Sequence, residues 1–131
     1  MDWKTCFKEK KILVAEDDTA CQDLMKDVFE QMNCPIDLAK DGNEAVEKFK
    51  SGHFDLVILD VRMPNKDGMQ AVAEMRSFES SGKHTPILAL TASVVEGRAT
   101  LLSAGFDEVL EKPINLENLR NKMAKFLLGG S

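Results

Sequence analysis

The chain has 131 residues, 44% of them apolar and 30% charged, with a formal net charge of −5. That length supports one well-buried core and excludes two ordinary domains. The acidic balance speaks against a general nucleic-acid or anionic-membrane binder, either of which needs a basic face. Cys6, Cys21 and Cys34 lack the paired short spacing of a zinc site and read as small apolar residues in a reducing cytosol. Residues 1–10 are a charged leader without the apolar stretch of a signal peptide, and no segment approaches membrane-spanning length, so a cytoplasmic protein is expected.

Short apolar runs then alternate with segments of helical period, the pattern of strand–helix units joined by right-handed crossovers. Ile12-Leu13-Val14-Ala15 forms a first strand that runs into Glu16-Asp17-Asp18. Asp18 and Thr19 can cap a first helix whose apolar stripe is Ala20, Cys21, Leu24, Val28 and Met32, ended by Asn33-Cys34-Pro35. Pro35 to Ala39 reads as a second strand and Asp41-Gly42-Asn43 as a turn; Ala45, Val46 and Phe49 form the inner face of a short helix closed by Ser51-Gly52. A third strand, Leu56-Val57-Ile58-Leu59, arrives at Asp60. The loop Met63-Pro64-Asn65-Lys66-Asp67-Gly68 follows, and Met69, Val72 and Met75 mark a third helix that ends before Glu79-Ser80-Ser81-Gly82-Lys83. Pro86 opens a fourth strand, Ile87-Leu88-Ala89-Leu90, which ends in Thr91. Val94, Val95, Leu101 and Leu102 suggest a fourth helix, weakened at Gly97 by about 1 kcal/mol relative to alanine and stopped by Ala104-Gly105. Val109-Leu110-Glu111 leads into Lys112-Pro113. The last helix is capped by Asn115 and carries Leu116, Leu119, Met123, Phe126 and Leu127 at steady spacing, and Gly129-Gly130-Ser131 reads as a tail or linker stub.

Five strands alternating with five helices predict an α/β fold: a doubly wound five-stranded parallel sheet with helices on both faces, since near-continuous apolar strands must be buried on both sides. In the flavodoxin-like order 2-1-3-4-5, the first and third strands are neighbours at the switch point, where a crevice opens at the carboxyl ends. Glu16 and Asp17, Asp60, Thr91 and Lys112 would then converge there from four different strands.

Three carboxylates in one crevice repel one another by several kcal/mol at about 4 Å and an effective dielectric near 20. A hard divalent cation with oxygen ligands suits them, and Mg²⁺ is the usual such ion beside phosphate. Lys112 supplies a second, mobile positive charge. Between these cations a carboxylate can act as nucleophile toward a phosphoryl group, and Asp60 is the central candidate; the Thr91 hydroxyl and the Ala92 N–H can bond phosphoryl oxygens. An aspartate at a strand end is usually a turn residue or helix cap, and a lone lysine, or Arg62 in a loop, is usually solvated. Joint placement at four strand ends argues against independent capping roles.

The strings ILVAEDD, DLVILDVRMPNKDG, PILALTA and AGFDEVLEKPI, with the spacings between them, resemble the receiver domain of two-component response regulators over residues 11–128. The resemblance implies that Asp60 accepts phosphate from a phosphohistidine, that Asp17 ligates Mg²⁺ directly, and that Glu16 does so largely through water. It further implies that the Arg62 carbonyl completes the protein ligands of the metal. The N–H groups of Arg62 and Ala92, the Thr91 hydroxyl and the Lys112 ammonium would hold the phosphoryl oxygens, and a cis Lys112-Pro113 bond would aim the lysine into the crevice. Met63-Pro64 and Asp67-Gly68 match the family's loop after the acceptor, with a role in shape. Two features depart from the family. Receivers usually carry an aromatic residue three positions before the lysine, where this chain has Val109, and Phe106 reads as core packing in place of a substitute. The stretch from Thr91 to Lys112 is also slightly short, which predicts a short or irregular fourth helix.

The implied partner is a histidine kinase or its phosphotransfer domain, with no nucleic acid and no membrane insertion. The ALTA and EKPI strings are similar to hybrid-kinase and phosphorelay receivers, for which the apolar surface near the first helix would be the docking face. Two other readings remain open. One is a pseudo-receiver that serves only as an interaction module, which would not bind Mg²⁺. The other is a phosphohydrolase of the haloacid dehalogenase type, which wants a second aspartate two residues after the nucleophile, where Arg62 stands.

Overall fold

Five strands, β1 (Ile12–Ala15), β2 (Ile36–Ala39), β3 (Leu56–Asp60), β4 (Ile87–Thr91) and β5 (Glu108–Glu111), form one parallel sheet in the order β2-β1-β3-β4-β5. Five helices alternate with them: α1 (Thr19–Gln31), α2 (Gly42–Ser51), α3 (Gly68–Phe78), α4 (Arg98–Ala104) and α5 (Leu116–Leu127). This computed structural model describes residues 7–79, 83–92 and 97–128. The flavodoxin-like order expected from the alternation is the one observed.

Successive strand side chains point to opposite faces, and here both faces are buried. Ile12, Val14, Leu56, Ile58, Leu88, Leu90 and Leu110 pack with Met25, Val28 and Phe29 of α1 and with Leu119 and Met123 of α5. Leu13, Ala15, Val57, Leu59, Ile87 and Ala89 pack on the other side with α2, α3 and Leu101 of α4. Phe106 lies in this second cluster, 3% exposed, which is the core role expected of it. In the register of the sheet, Ala15 lies opposite Leu59, so the next residues, Glu16 and Asp60, lie level at the carboxyl edge.

Local chemistry explains most boundaries. Asp18, Asp41, Asp67 and Asn115 each accept a backbone N–H from the first turn of the helix they precede. Asp67 and Gln70 form a reciprocal capping box. Two expectations are corrected. The buried stripe of α1 is Met25, Val28 and Phe29, continued by Met32, whereas Leu24 is 40% exposed and Ala20 is exposed. The apolar residues of α1 permit two stripes one residue apart, and packing against both the sheet and α5 selects the one through Met25 and Phe29. Asp41-Gly42-Asn43 is also no free turn, because Asp41 is an N-cap and Gly42 already belongs to α2. A side chain at Gly42 would put its Cβ 2.1 Å from the Lys66 carbonyl oxygen, so glycine there permits close approach of the loop after β3.

α4 is seven residues long, in line with the short fourth helix expected, and Gly97 is its N-cap, with φ of 74° and no side-chain cap. Leu101 is its buried residue while Leu102 is 37% exposed. Val94 and Val95 lie outside the described residues.

Candidate active site

The carboxyl ends of β1, β3, β4 and β5 enclose a crevice of about 200 Å³. All seven residues expected at the site line it, namely Glu16, Asp17, Asp60, Arg62, Thr91, Ala92 and Lys112, with Asp18 as an eighth. Glu16, Asp60 and Thr91 are buried, Lys112 is half-buried, and Asp17, Arg62 and Ala92 are exposed.

Strand alternation accounts for the convergence. Glu16, Asp60 and Lys112 continue the parity of Val14, Ile58 and Leu110, which face α1 and α5, whereas Thr91 continues the opposite parity of Ala89. Asp60 is level with Leu90 and Leu90 with Leu110, so Lys112 starts two residues beyond the level of Asp60. Its long stem spans that gap. The Lys112 Nζ lies 2.9 Å from Asp60 Oδ2 and 2.9 Å from Glu16 Oε2. The ladder also continues past the strands, with the Lys112 N–H donating to the Thr91 carbonyl at 2.8 Å and the Val61 N–H to Leu90 at 2.9 Å.

Asp60 is oriented from both sides. Its Oδ1 accepts from the Arg62 N–H at 3.0 Å, while Oδ2 accepts from Lys112. The loop behind it is held at several points: Asn65, in the left-handed region at φ 68°, donates to Asp41 Oδ2 at 2.9 Å, and the Gly68 N–H donates to the Val61 carbonyl at 2.9 Å. Gly68 must be a glycine here, since a Cβ would sit 2.4 Å from the Asp60 carbonyl oxygen. This agrees with the shape role expected of Asp67-Gly68. The Lys112-Pro113 bond is cis, as expected.

Glu16 is the most enclosed of the acids. Its Oε1 accepts from the Asp18 N–H at 3.1 Å, and Oε2 meets Lys112 as an ion pair outside hydrogen-bond geometry, which leaves buried acceptor capacity at that atom. Burial raises the Glu16 carboxyl above the ordinary carboxylate range, reinforced by its contact with Asp60 and only partly opposed by Lys112. For Lys112 burial acts downward, but bonds to Asp60 and Glu16 outweigh it and hold the ammonium well above its usual value. Beside them, burial and then the negative Glu16 push the Cys21 thiol up to about 12, which favours its protonated form.

Glu16, Asp17 and Asp60 present carboxylate oxygens within 4.8 Å of one another. Each pair at that separation repels by roughly 3 kcal/mol at an effective dielectric of about 20, and one ammonium does not balance three carboxylates. Hard oxygen donors, an exposed Asp17 and a Glu16 Oε2 with acceptor capacity beyond its ion pair with Lys112 fit a small divalent cation. The crevice is therefore a clustered acidic pocket suited to coordinating one.

Two contributors escaped the sequence reading. Gln22 donates to the Glu16 carbonyl at 2.6 Å, clamping α1 to the end of β1. Its position one helical turn after the Asp18 cap is the signal that marks it. Asp41 reaches the site indirectly through Asn65, a contact between residues far apart in sequence.

Comparison with known proteins agrees with this geometry. The sequence model of the response regulator receiver domain matches residues 12–124. A hybrid signal transduction histidine kinase G of Dictyostelium discoideum is 38% identical over 119 residues, which cover 88% of this chain and 4% of the kinase. The chain spans 4% to 16% of the length of this and three other curated relatives. Among solved structures, the complex of the Saccharomyces cerevisiae histidine phosphotransfer protein Ypd1 with the receiver domain of Ssk1 has a TM-score of 0.85 at 28% identity, covering 95% of this chain and 92% of that one. The receiver domain of the Pseudomonas aeruginosa sensor histidine kinase PA1611, with a magnesium ion in its active-site cleft, has a TM-score of 0.82 at 29% identity, covering 90% and 97%.

Proposed function

The chain belongs to the response regulator receiver family, and on that premise we propose that residues 11–128 form a module in which Asp60 takes a phosphoryl group from a phosphohistidine. The observation that carries this reading is the Lys112 ammonium shared between Asp60 and Glu16 at 2.9 Å each, in a crevice that also presents Asp17. A carboxylate oxygen of Asp60 attacks phosphorus, a P–O bond forms as the P–N bond breaks, and the imidazole leaves with the bonding pair. Lys112 then follows the new charge onto a phosphoryl oxygen, while the Thr91 hydroxyl and the N–H groups of Arg62 and Ala92 donate to the others. Asp17 directly, Glu16 largely through water, Asp60 and the Arg62 carbonyl would hold Mg²⁺, which when bound neutralises carboxylate and phosphoryl charge. The reactions supported are the domain's own phosphorylation and dephosphorylation.

The donor or next acceptor is taken to be a histidine kinase or phosphotransfer protein, by analogy with the Ypd1–Ssk1 complex. The exposed Leu24 on α1 supplies apolar surface on the helix next to the crevice, in keeping with docking there. We assign the module to the cytoplasm, where kinases draw on ATP, and to a phosphorelay of hybrid-kinase type.

Incubation with acetyl phosphate and Mg²⁺ is expected to add one phosphoryl group by intact mass, and Asp60→Asn is expected to add none. An adduct that persists in that variant would sink the assignment. Mg²⁺ alone should raise the melting temperature, with a stabilisation of about 2.7 kcal/mol at 100 times Kd, and Asp17→Asn should lose most of that shift.

A further inference from the structure

A larger cavity, about 630 Å³ against about 200 Å³ for the crevice, opens at the opposite edge of the sheet. It lies where the segments leading into β3 and β4, Phe54-Asp55 and Thr85-Pro86, meet the carboxyl ends of α2 and α3. Pockets that enclose small organic molecules have volumes of roughly 300–1,000 Å³. Phosphoryl transfer at Asp60 makes no use of this one.

Its walls combine two chemistries. Phe49, Phe54 and Phe78 supply aromatic rings, and Phe49 meets Phe78 edge to face with centroids 6.3 Å apart and planes at 72°. Phe78 is nonetheless 49% exposed. An exposed aromatic is ordinary on its own, but this one borders a concavity that already holds two further rings.

The charged groups of the wall differ in what they are committed to. Asp55 Oδ2 accepts the Lys11 N–H at 2.7 Å, and Glu79 accepts from Arg76 Nη1 at 2.9 Å and from the Thr85 N–H at 2.6 Å. Both carboxylates therefore serve the fold. Lys50 and Lys83 are exposed, and among the described residues neither meets a carboxylate within ion-pair distance. The Lys50 ammonium rests 5.9 Å from the centroid of the Phe78 ring, and that of Lys11 lies 5.4 Å from Phe54. A cation over a ring occupies its electron-rich face, which disfavours a second cation there. An anion drawn to the ammonium would instead bring its apolar body against the same ring.

We propose that this cavity is a binding site for a small aromatic acid, a flat ring system bearing a carboxylate, sulfonate or phosphate group. Phe49, Phe54 and Phe78 take the rings, which gain edge-to-face or offset contacts. Lys50 and Lys83 take the anion at the mouth, where their flexible stems let both ammonium groups reach it. The site is separate from the crevice, and its occupancy does not depend on the chemistry of Asp60.

The test is a fluorescence titration of the full chain with two probes, anilinonaphthalene sulfonate and phenylnaphthylamine, which share a ring system but differ in the anionic group. Amide NMR locates the bound probe and reports the fold of each variant. The sulfonate should bind at one site and more tightly than the amine, shifting the amides of Lys50, His53, Phe78 and His84 and leaving those of Asp17 and Lys112 in place. Lys50→Gln combined with Lys83→Gln should weaken sulfonate binding about tenfold and leave the amine unchanged. Phe78→Ala, which truncates an exposed ring, should weaken both probes. Undiminished sulfonate binding in the lysine double variant, equal losses of both probes in it, or shifts centred on the crevice would overturn the proposal. So would a wild-type chain that binds neither probe.

Discussion

The loop from β3 to α3 and the short helix α4 both follow strands that end at the crevice, yet they are held very differently. The loop is tied by the Arg62–Asp60 and Gly68–Val61 bonds, by Asn65 on Asp41, by the Asp67–Gln70 capping box and by the Lys66–Glu74 ion pair. Among the described residues, α4 is seated by Leu101 and Ala104, by the Arg98–Glu108 pair and by Arg76 on the Gly105 carbonyl at its C-terminus. Groups that stabilise a transition state must already be in place when charge develops. Groups that report the outcome must be able to move, and so come from the weakly tethered end of the stability range. The loop belongs with the first kind by its many ties, and the shorter α4 stands in contrast to it.

The largest effect expected lies on the preorganised side. Lys112→Ala removes the cation that Asp60 and Glu16 share, and should slow phosphorylation by acetyl phosphate by about 100- to 1,000-fold, read by intact mass against time. A rate within a few-fold of wild type would mean that the bridge is only structural. A matched pair of variants sharpens the contrast. Gly68→Ala forces a Cβ to within 2.4 Å of the Asp60 carbonyl, and Leu101→Ala empties the one buried position of α4; each should cost about 2–3 kcal/mol of stability in denaturant melts. Only Gly68→Ala should slow phosphoryl uptake markedly. Equal slowing in both would break the division.

The smallest effect concerns the far anchor of the loop. The Glu44 N–H, and then the Asn65 amide, hold the Asp41 carboxyl below its ordinary value of 3.8. A depressed folded pKa stabilises the protein above the unfolded value, and that contribution is lost as pH falls through the folded one. Asp41→Ala should therefore cost about 1 kcal/mol near neutral pH, with the difference from wild type shrinking below about pH 4 in urea melts. A difference that stays constant into acid would assign the effect to something other than the charged cap.

Much of the site was legible because strand periodicity is local. The apolar runs ending in Glu16, Asp60, Thr91 and Lys112 are visible without any fold, and the parity that sends Glu16, Asp60 and Lys112 to one face follows from the alternation of neighbours such as Val14, Ile58 and Leu110. The receiver resemblance rests on those same strings. The stripe of α1 was misread by one residue, because a helix with apolar residues at both 24 and 25 leaves the choice of face to what packs on it. Asp41-Gly42-Asn43 has the composition of a turn, and only the nearby Lys66 carbonyl shows why glycine opens a helix there.

By itself, then, the sequence determined the alternation of strands and helices, the identity of the strand-end residues and the caps at Asp18 and Asn115, since each depends on neighbours within a few positions along the chain. Tertiary structure alone decided the level at which Lys112 meets Asp60, the bond from Asn65 to Asp41 and the carboxylate of Glu108 shared by α4 and α5. Those contacts join residues brought together only by the sheet's register and crossovers, and no local period encodes which distant side chain will arrive.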